Sequence, residues 1–211
     1  MSNPALDDQV HIALRDNQKS EKFAQHIAGL AVQITNASFE FSKHVASAYE
    51  SVPKRRLGDK DLDEIDQTRL TMGAFSLFIH ILDRYLLCID SRVLEQTVLD
   101  FIFKNIVRVC ARSFPGSPTE AEAFVFNHYD GRAPQLAAAP TIFGEGPEDK
   151  NTVIWRAIRA ICEDDLGRDD RRLNGIVETG LMQGLEALAL ANRVAAMAEM
   201  LSLPRDLRKI V

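Results

Sequence analysis

The sequence predicts an all-α fold, an up-and-down bundle of long antiparallel helices with one long irregular loop. Three observations carry that expectation. Apolar residues recur every three or four positions over long stretches, no segment alternates with period two, and proline falls between the periodic stretches.

The clearest stretch runs from Phe23 to Ala48, where Phe23, Ile27, Leu30, Ile34, Ala37, Phe41, His44 and Ala48 follow a heptad seam. It predicts one long helix ending before Pro53 and the basic loop Lys54–Gly58. Asn3-Pro4 starts a short helix or arm within 1–17 that carries Leu6, Val10 and Leu14. Asp61 with Glu64 resembles a helix cap, and the second helix continues through Ile65, Thr68, Met72, Phe75, Ile79, Leu82, Leu86 and Ile89. Further apolar residues off that seam place this helix at the centre of the bundle. After a break at Asp90-Ser91, a third helix runs to about Ser113 with Leu94, Val98, Ile102, Ile106 and Val109 inward. Its outer face, Arg92, Gln96, Asp100, Lys104, Arg108 and Arg112, is an ordinary solvated surface.

Ser117-Pro118-Thr119-Glu120 is a capping box that opens a short helix to about His128. From 129 to 146, prolines and glycines predict the long loop. Pro147 opens the next helix, with Ile154, Ile158 and Ile161 inward and Gly167 as its C-terminal cap. The last helix, from Asp169 or Asp170 to Pro204, has a seam of small residues (Val177, Gly180, Gly184, Ala187, Ala191, Val194, Ala198, Leu201) that admits a close neighbour. Gly180, Gly184, Ala187 and Ala191 are candidates for that contact, within the chain or across a two-fold dimer.

A chain of 211 residues, 46% hydrophobic and 26% charged, buries a sufficient core as one domain spanning 1–211. The formal net charge of -5 argues against a dedicated nucleic-acid binder. Cys88, Cys110 and Cys162 lie far apart among apolar residues and read as buried thiols of a reducing, cytoplasmic compartment. The apolar run Met72 to Ile89 has the length of a membrane span, but His80, Asp83 and Arg84 near its middle favour a buried helix, so no membrane is expected.

The motifs of phosphate-loop, dinucleotide-binding, serine-hydrolase and zinc-protease families do not occur, and no cofactor is indicated. Chemistry is confined to three places. On the second helix, Arg69, Gly73, Ser76, His80, Asp83 and Arg84 form one narrow stripe of an otherwise apolar cylinder. Facing a cavity, Asp83 would orient the His80 imidazole; facing solvent, the stripe is merely the wet edge of the helix. On the first helix, Glu40 and His44 have the spacing of two ligands, although no Glu-x-x-His accompanies them and a core histidine explains His44 equally well. Finally, His128-Tyr129-Asp130-Gly131-Arg132 ends the short helix beside the loop, where it is either a site or a polar terminus with a turn.

The leading expectation is a bundle that acts through protein association as a homodimer. The alternative is a bundle, catalytic or not, that binds a metal or small ligand near His44, His80 and Asp83.

Overall fold

A computed structural model of the chain describes residues 3–52, 61–113, 117–144, 150–168 and 171–206. The fold is all-α: among the described residues 82% are helical and no strand is present. In order come α1 (Pro4–Arg15), α2 (Asn17–Glu50), α3 (Glu64–Leu87), α4 (Arg92–Ser113), α5 (Pro118–Ala137), α6 (Val153–Arg159), a π-helix (Ala160–Asp165), α7 (Arg171–Leu188) and α8 (Leu190–Met200). The chain divides into two compact units: Met1–Ile34 with Ile79–Asn127 and Ala189–Val211, and Thr35–Phe78 with His128–Leu188. Because α2, α3 and α5 each pass from one unit to the other, no linker marks the division in the sequence.

In the first unit α1 begins where the Asn3 side chain accepts from Ala5 N, and ends at Asp16, whose carboxylate caps the N–H groups of Gln18 and Lys19 at the start of α2. Leu6, Val10 and Ala13 are its buried stripe, and it packs on α4. Asp7 accepts hydrogen bonds from Ser91 Oγ at 2.8 Å and Val93 N at 3.1 Å, while Ser91 Oγ itself caps Leu94 N. Burial pushes the Asp7 carboxyl up, but the bonds from Val93, Ser91 and Arg92 outweigh it and hold the pKa below the usual value. The break expected at Asp90 is a left-handed residue with φ 61°. Leu94, Val98, Ile102 and Ile106 are fully buried, and the outer face of α4 is exposed as expected.

The second unit shows where the heptad reading of α2 fails. Buried residues continue as Phe41, Ser42, Val45, Ala46 and Tyr49, while His44 is exposed. A straight α-helix drifts about 20° per heptad from a strict seven-residue repeat, so three heptads after Phe23 the seam has rotated about 60° and Val45 occupies the inward place. His44 is therefore neither a core histidine nor an inward ligand. Glu40 is exposed too, bonded to Lys43 Nζ at 2.9 Å. The α3 cap is Asp63, accepting from Asp66 N, rather than Asp61.

The capping box at Ser117 and Glu120 forms in both directions. Beyond it α5 runs to Ala137, correcting the expectation that the helix ends at His128 and the loop starts at 129. Arg132 and Leu136 continue the inward stripe one and two turns past His128, and both are buried. Pro134 withdraws the N–H that would reach back to Asp130, but Asp130 is exposed and its carbonyl keeps access to water. Arg156 of α6 donates to the Gln135 carbonyl near the end of α5, satisfying one of its terminal acceptors. The proposed opening of the next helix at Pro147 and of the last one at Asp169 or Asp170 lies outside the described residues, as does the basic loop. Within them, Thr152 caps α6 through Trp155 N, and a single bridge pairs Thr141 with Thr152.

The last helix is two helices, divided at Ala189, which is left-handed with φ 45°. The small-residue seam drifts before that break, since within α7 Leu188 rather than Ala187 takes the inward place after Gly184. Ala187 and Ala191 are exposed, whereas Gly180 and Gly184 are buried. A Cβ at Gly180 would lie 2.9 Å from Phe41 Cδ2, and one at Gly184 would lie 2.7 Å from Phe78 Cζ. The close neighbour of these glycines is therefore the chain's own aromatic core. Cys88 and Cys162 are buried thiols, neither in a disulfide. The apolar α3 is the one described helix long and apolar enough to span a membrane, and 78% of that stretch is buried in the protein.

Candidate functional site

Most of the α3 stripe faces protein rather than solvent: Gly73, Ser76 and His80 are buried and Asp83 and Arg84 half-buried, while Arg69 at its start is exposed. Its two halves fall in different units and have different surroundings.

In the first unit, His80 is 6% exposed and Asp83 Oδ1 is buried without a hydrogen-bond partner. Burial raises the Asp83 pKa to about 6, and the nearby Glu95 carboxylate adds to that effect while Arg84 opposes it. Glu95 is itself raised by burial, with Arg92 opposing it. Among the described residues no three His, Cys, Asp or Glu side chains come together as a metal site, which leaves Glu40, His44, His80 and Asp83 without the convergence that the metal reading requires.

The second unit assembles a polar cluster around Arg132, which is only 7% exposed. Its Nη2 forms an ion pair with Asp165 Oδ2 and lies 3.4 Å from the Ala160 carbonyl. His128, one turn earlier on α5, brings Nε2 to 3.8 Å from the same Asp165 oxygen. From α3, Arg69 Nη1 donates to the Asp165 carbonyl at 3.1 Å and stands 3.9 Å from Asp66. Arg168 then closes the group, bonded to Asp66 Oδ2 at 3.0 Å and stacked over the Tyr49 ring at 5.5 Å.

Two local features make this convergence possible. The first is the π-helix, whose wider turn carries Asp165 out of the position that a 3.6-residue period would give it. Leu166 N reaches back five residues to the Ile161 carbonyl, and Gly167, left-handed at φ 61°, ends the turn as expected. The second is Gly73: a Cβ there would lie 2.4 Å from Ile161 Cγ1 and 3.2 Å from Arg132 Nη1. Only a glycine lets the π-helix and the guanidinium come this near α3.

The electrostatics follow from burial. Burial raises the Asp165 pKa to about 6, with Arg132 opposing the shift through charge and hydrogen bonding. The His128 pKa is lowered to about 3 by burial and by the Arg132 charge, so its imidazole is neutral at pH 7. Three guanidinium groups (Arg69, Arg132, Arg168) against two carboxylates (Asp66, Asp165) leave the cluster one positive charge in excess. Arg132 Nη1, buried beside Gly73, has no hydrogen-bond partner, and neither does the buried Ser76 Oγ on the same α3 stripe.

Of the residues singled out in the sequence, the fold thus draws His128 into this cluster, together with Arg69 and Arg132 of the flagged segments. Tyr129 is half-buried and Asp130 exposed on the same helix. Asp165, Asp66 and Arg168 carried no signal of their own, since each is a single charged residue beside a helix end. An all-α chain built around a buried Arg–Asp–His cluster is as far as the geometry alone classifies it. No protein-family model, curated protein or solved structure matches this chain.

Proposed function

We propose that the protein is a small-ligand-binding helical bundle whose site is the Arg132 cluster of the second unit and whose ligand is an anion. The observation that carries this reading is Arg132 Nη1, a permanently charged donor, buried and without an acceptor. An unsatisfied buried donor on a cation costs more than a neutral one, about 1–3 kcal/mol or above, and a ligand oxygen removes that penalty. The excess positive charge of the cluster favours an anion over a neutral acceptor. The glycine seam lends no further weight to association between copies, because Gly180 and Gly184 meet Phe41 and Phe78 of the same chain.

Thermal-shift titration at pH 7 with acetate, sulfate and inorganic phosphate tests the reading. At least one of these should raise the melting temperature of the parent in a saturable way, and the shift should vanish in the double variant Arg132→Gln with Asp165→Asn, which removes both charges of the pair together and is checked for the parent's circular dichroism. A shift that persists undiminished in the double variant, or none with any probe, overturns the proposal.

A further inference from the structure

The site has a built-in competitor for any anion, because Asp165 already occupies one face of the Arg132 guanidinium. Resting on the anion-site reading, we infer that the ligand is a small monocarboxylate and that its binding is coupled to uptake of one proton by Asp165.

Arg132 Nη2 is engaged by Asp165 and the Ala160 carbonyl, so a bidentate guanidinium–oxyanion pair on both nitrogens is blocked while Asp165 stays in place. What remains is Nη1, with the Ser76 hydroxyl on the same stripe of α3, one turn on from Gly73. A single charged donor suits a single carboxylate, since Arg168 is committed to Asp66 and Arg69 to Asp66 and the Asp165 carbonyl, which leaves Nη1 as the one guanidinium nitrogen of the cluster open to a ligand.

A carboxylate on Nη1 lies beside the carboxylate on Nη2, and two like charges sharing one buried cation cannot both stay ionised at full strength. One must take a proton. Asp165 is the better acceptor, because its environment already resists ionisation: burial lifts its pKa to about 6. The other groups around it do not compete. His128 is neutral down to about pH 3, Asp164 on the same turn is exposed, and Arg159 of α6 is bonded to Glu163. On α7 the charged Arg171, Arg172 and Glu178 are exposed. The balance is simple: the ligand anion enters, one proton moves from solvent to Asp165 Oδ, and the cluster's net charge is unchanged.

Isothermal calorimetry with acetate between pH 6 and 8 reads this coupling, in a range where acetate itself stays ionised. Acetate affinity should weaken by up to about tenfold per pH unit above pH 6, the limit for one linked proton. Runs in two buffers of different ionisation enthalpy should return close to one proton taken up. Asp165→Asn should bind acetate at least as well as the parent, with no pH dependence, while Asp83→Asn should leave the linkage as it is in the parent. Carbon-13 NMR of labelled aspartate carboxyls gives the same answer without relying on a variant's folding: acetate should move the Asp165 titration upward and leave that of Asp83 alone. Acetate binding with no proton uptake, or an Asp165→Asn variant whose affinity keeps the parent's pH slope, overturns the coupling while the anion site stands. No acetate binding at any pH, with sulfate or phosphate still stabilising through Arg132, overturns the carboxylate assignment.

Discussion

Replacing Gly73 by alanine is the sharpest probe of the packing that builds the site. In an open helix the change is favourable by about 1 kcal/mol, because alanine loses less backbone freedom on folding. At Gly73 the new methyl would stand 2.4 Å from Ile161 Cγ1 and 2.9 Å from its Cδ1. Ile161 is fully buried in the π-helix, so it cannot swing into solvent to make room. Overpacking of that kind costs about 1–3 kcal/mol, which cancels or exceeds the propensity gain. Gly175 supplies the control. It lies on exposed α7 surface with nothing within 4 Å of an added Cβ, so there alanine should realise the whole gain. Urea unfolding should therefore find Gly73→Ala less stable than Gly175→Ala by about 1–3 kcal/mol at unchanged m-value. In the double variant with Ile161→Ala the methyl fills space that the isoleucine leaves, so the two changes should couple favourably by about 1 kcal/mol. A Gly73→Ala protein as stabilised as Gly175→Ala would show that the π-helix does not press on α3 as described.

Two further outcomes follow from the second unit. Gly184→Leu should cost about 1–3 kcal/mol or more, because a side chain there meets Phe78, which is fully buried, and the loss should not depend on protein concentration; a variant as stable as the parent would remove Gly184 from the core. The His128 pKa is lower folded than unfolded, so between about pH 6.5 and 3 the unfolded chain binds the extra proton and the parent should lose stability relative to His128→Gln as pH falls, measured by urea midpoints; a constant difference would place His128 in water.

Much of the fold was legible because burial repeats along a helix. The stripes of α3 from Met72 on and of α4 from Leu94 to Ile106, and the capping box of α5, are legible from spacing alone; the ends of the stripes are not, since Ile65 is exposed and Thr68 and Val109 are half-buried. Where the reading failed, a local rule was carried past its range. The heptad of α2 was extended until its drift mattered, which put His44 inside. A last helix running straight through Ala189, a residue type that gives no warning of a left-handed turn, aligns Ala191 with Gly184, whereas Ala187 leaves the seam earlier, within α7, where Leu188 is buried in its place. Gly131 and Pro134 read as loop residues, but the helix's inward stripe continues past them through a charged residue, Arg132.

That last error concealed the site, and its cause is instructive. A pattern search counts apolar side chains as inward and charged ones as outward, so a helix face that buries an arginine appears to stop there. Arg132 is inward because Asp165 meets it, and Asp165 is in position because the chain adopts a π-helix over six residues, Ala160 to Asp165, that read as ordinary α-helix. A π-helix has no sequence signature comparable to a cap or a heptad. Its presence is decided by what it packs against, here the missing side chain of Gly73, eighty-eight positions before Ile161. The sequence displayed Arg69, Gly73 and Ser76 as a stripe without showing what faced it. The stripe's one glycine held that information: a glycine inside a buried helix costs about 1 kcal/mol against alanine, and something must approach closely enough to offset it.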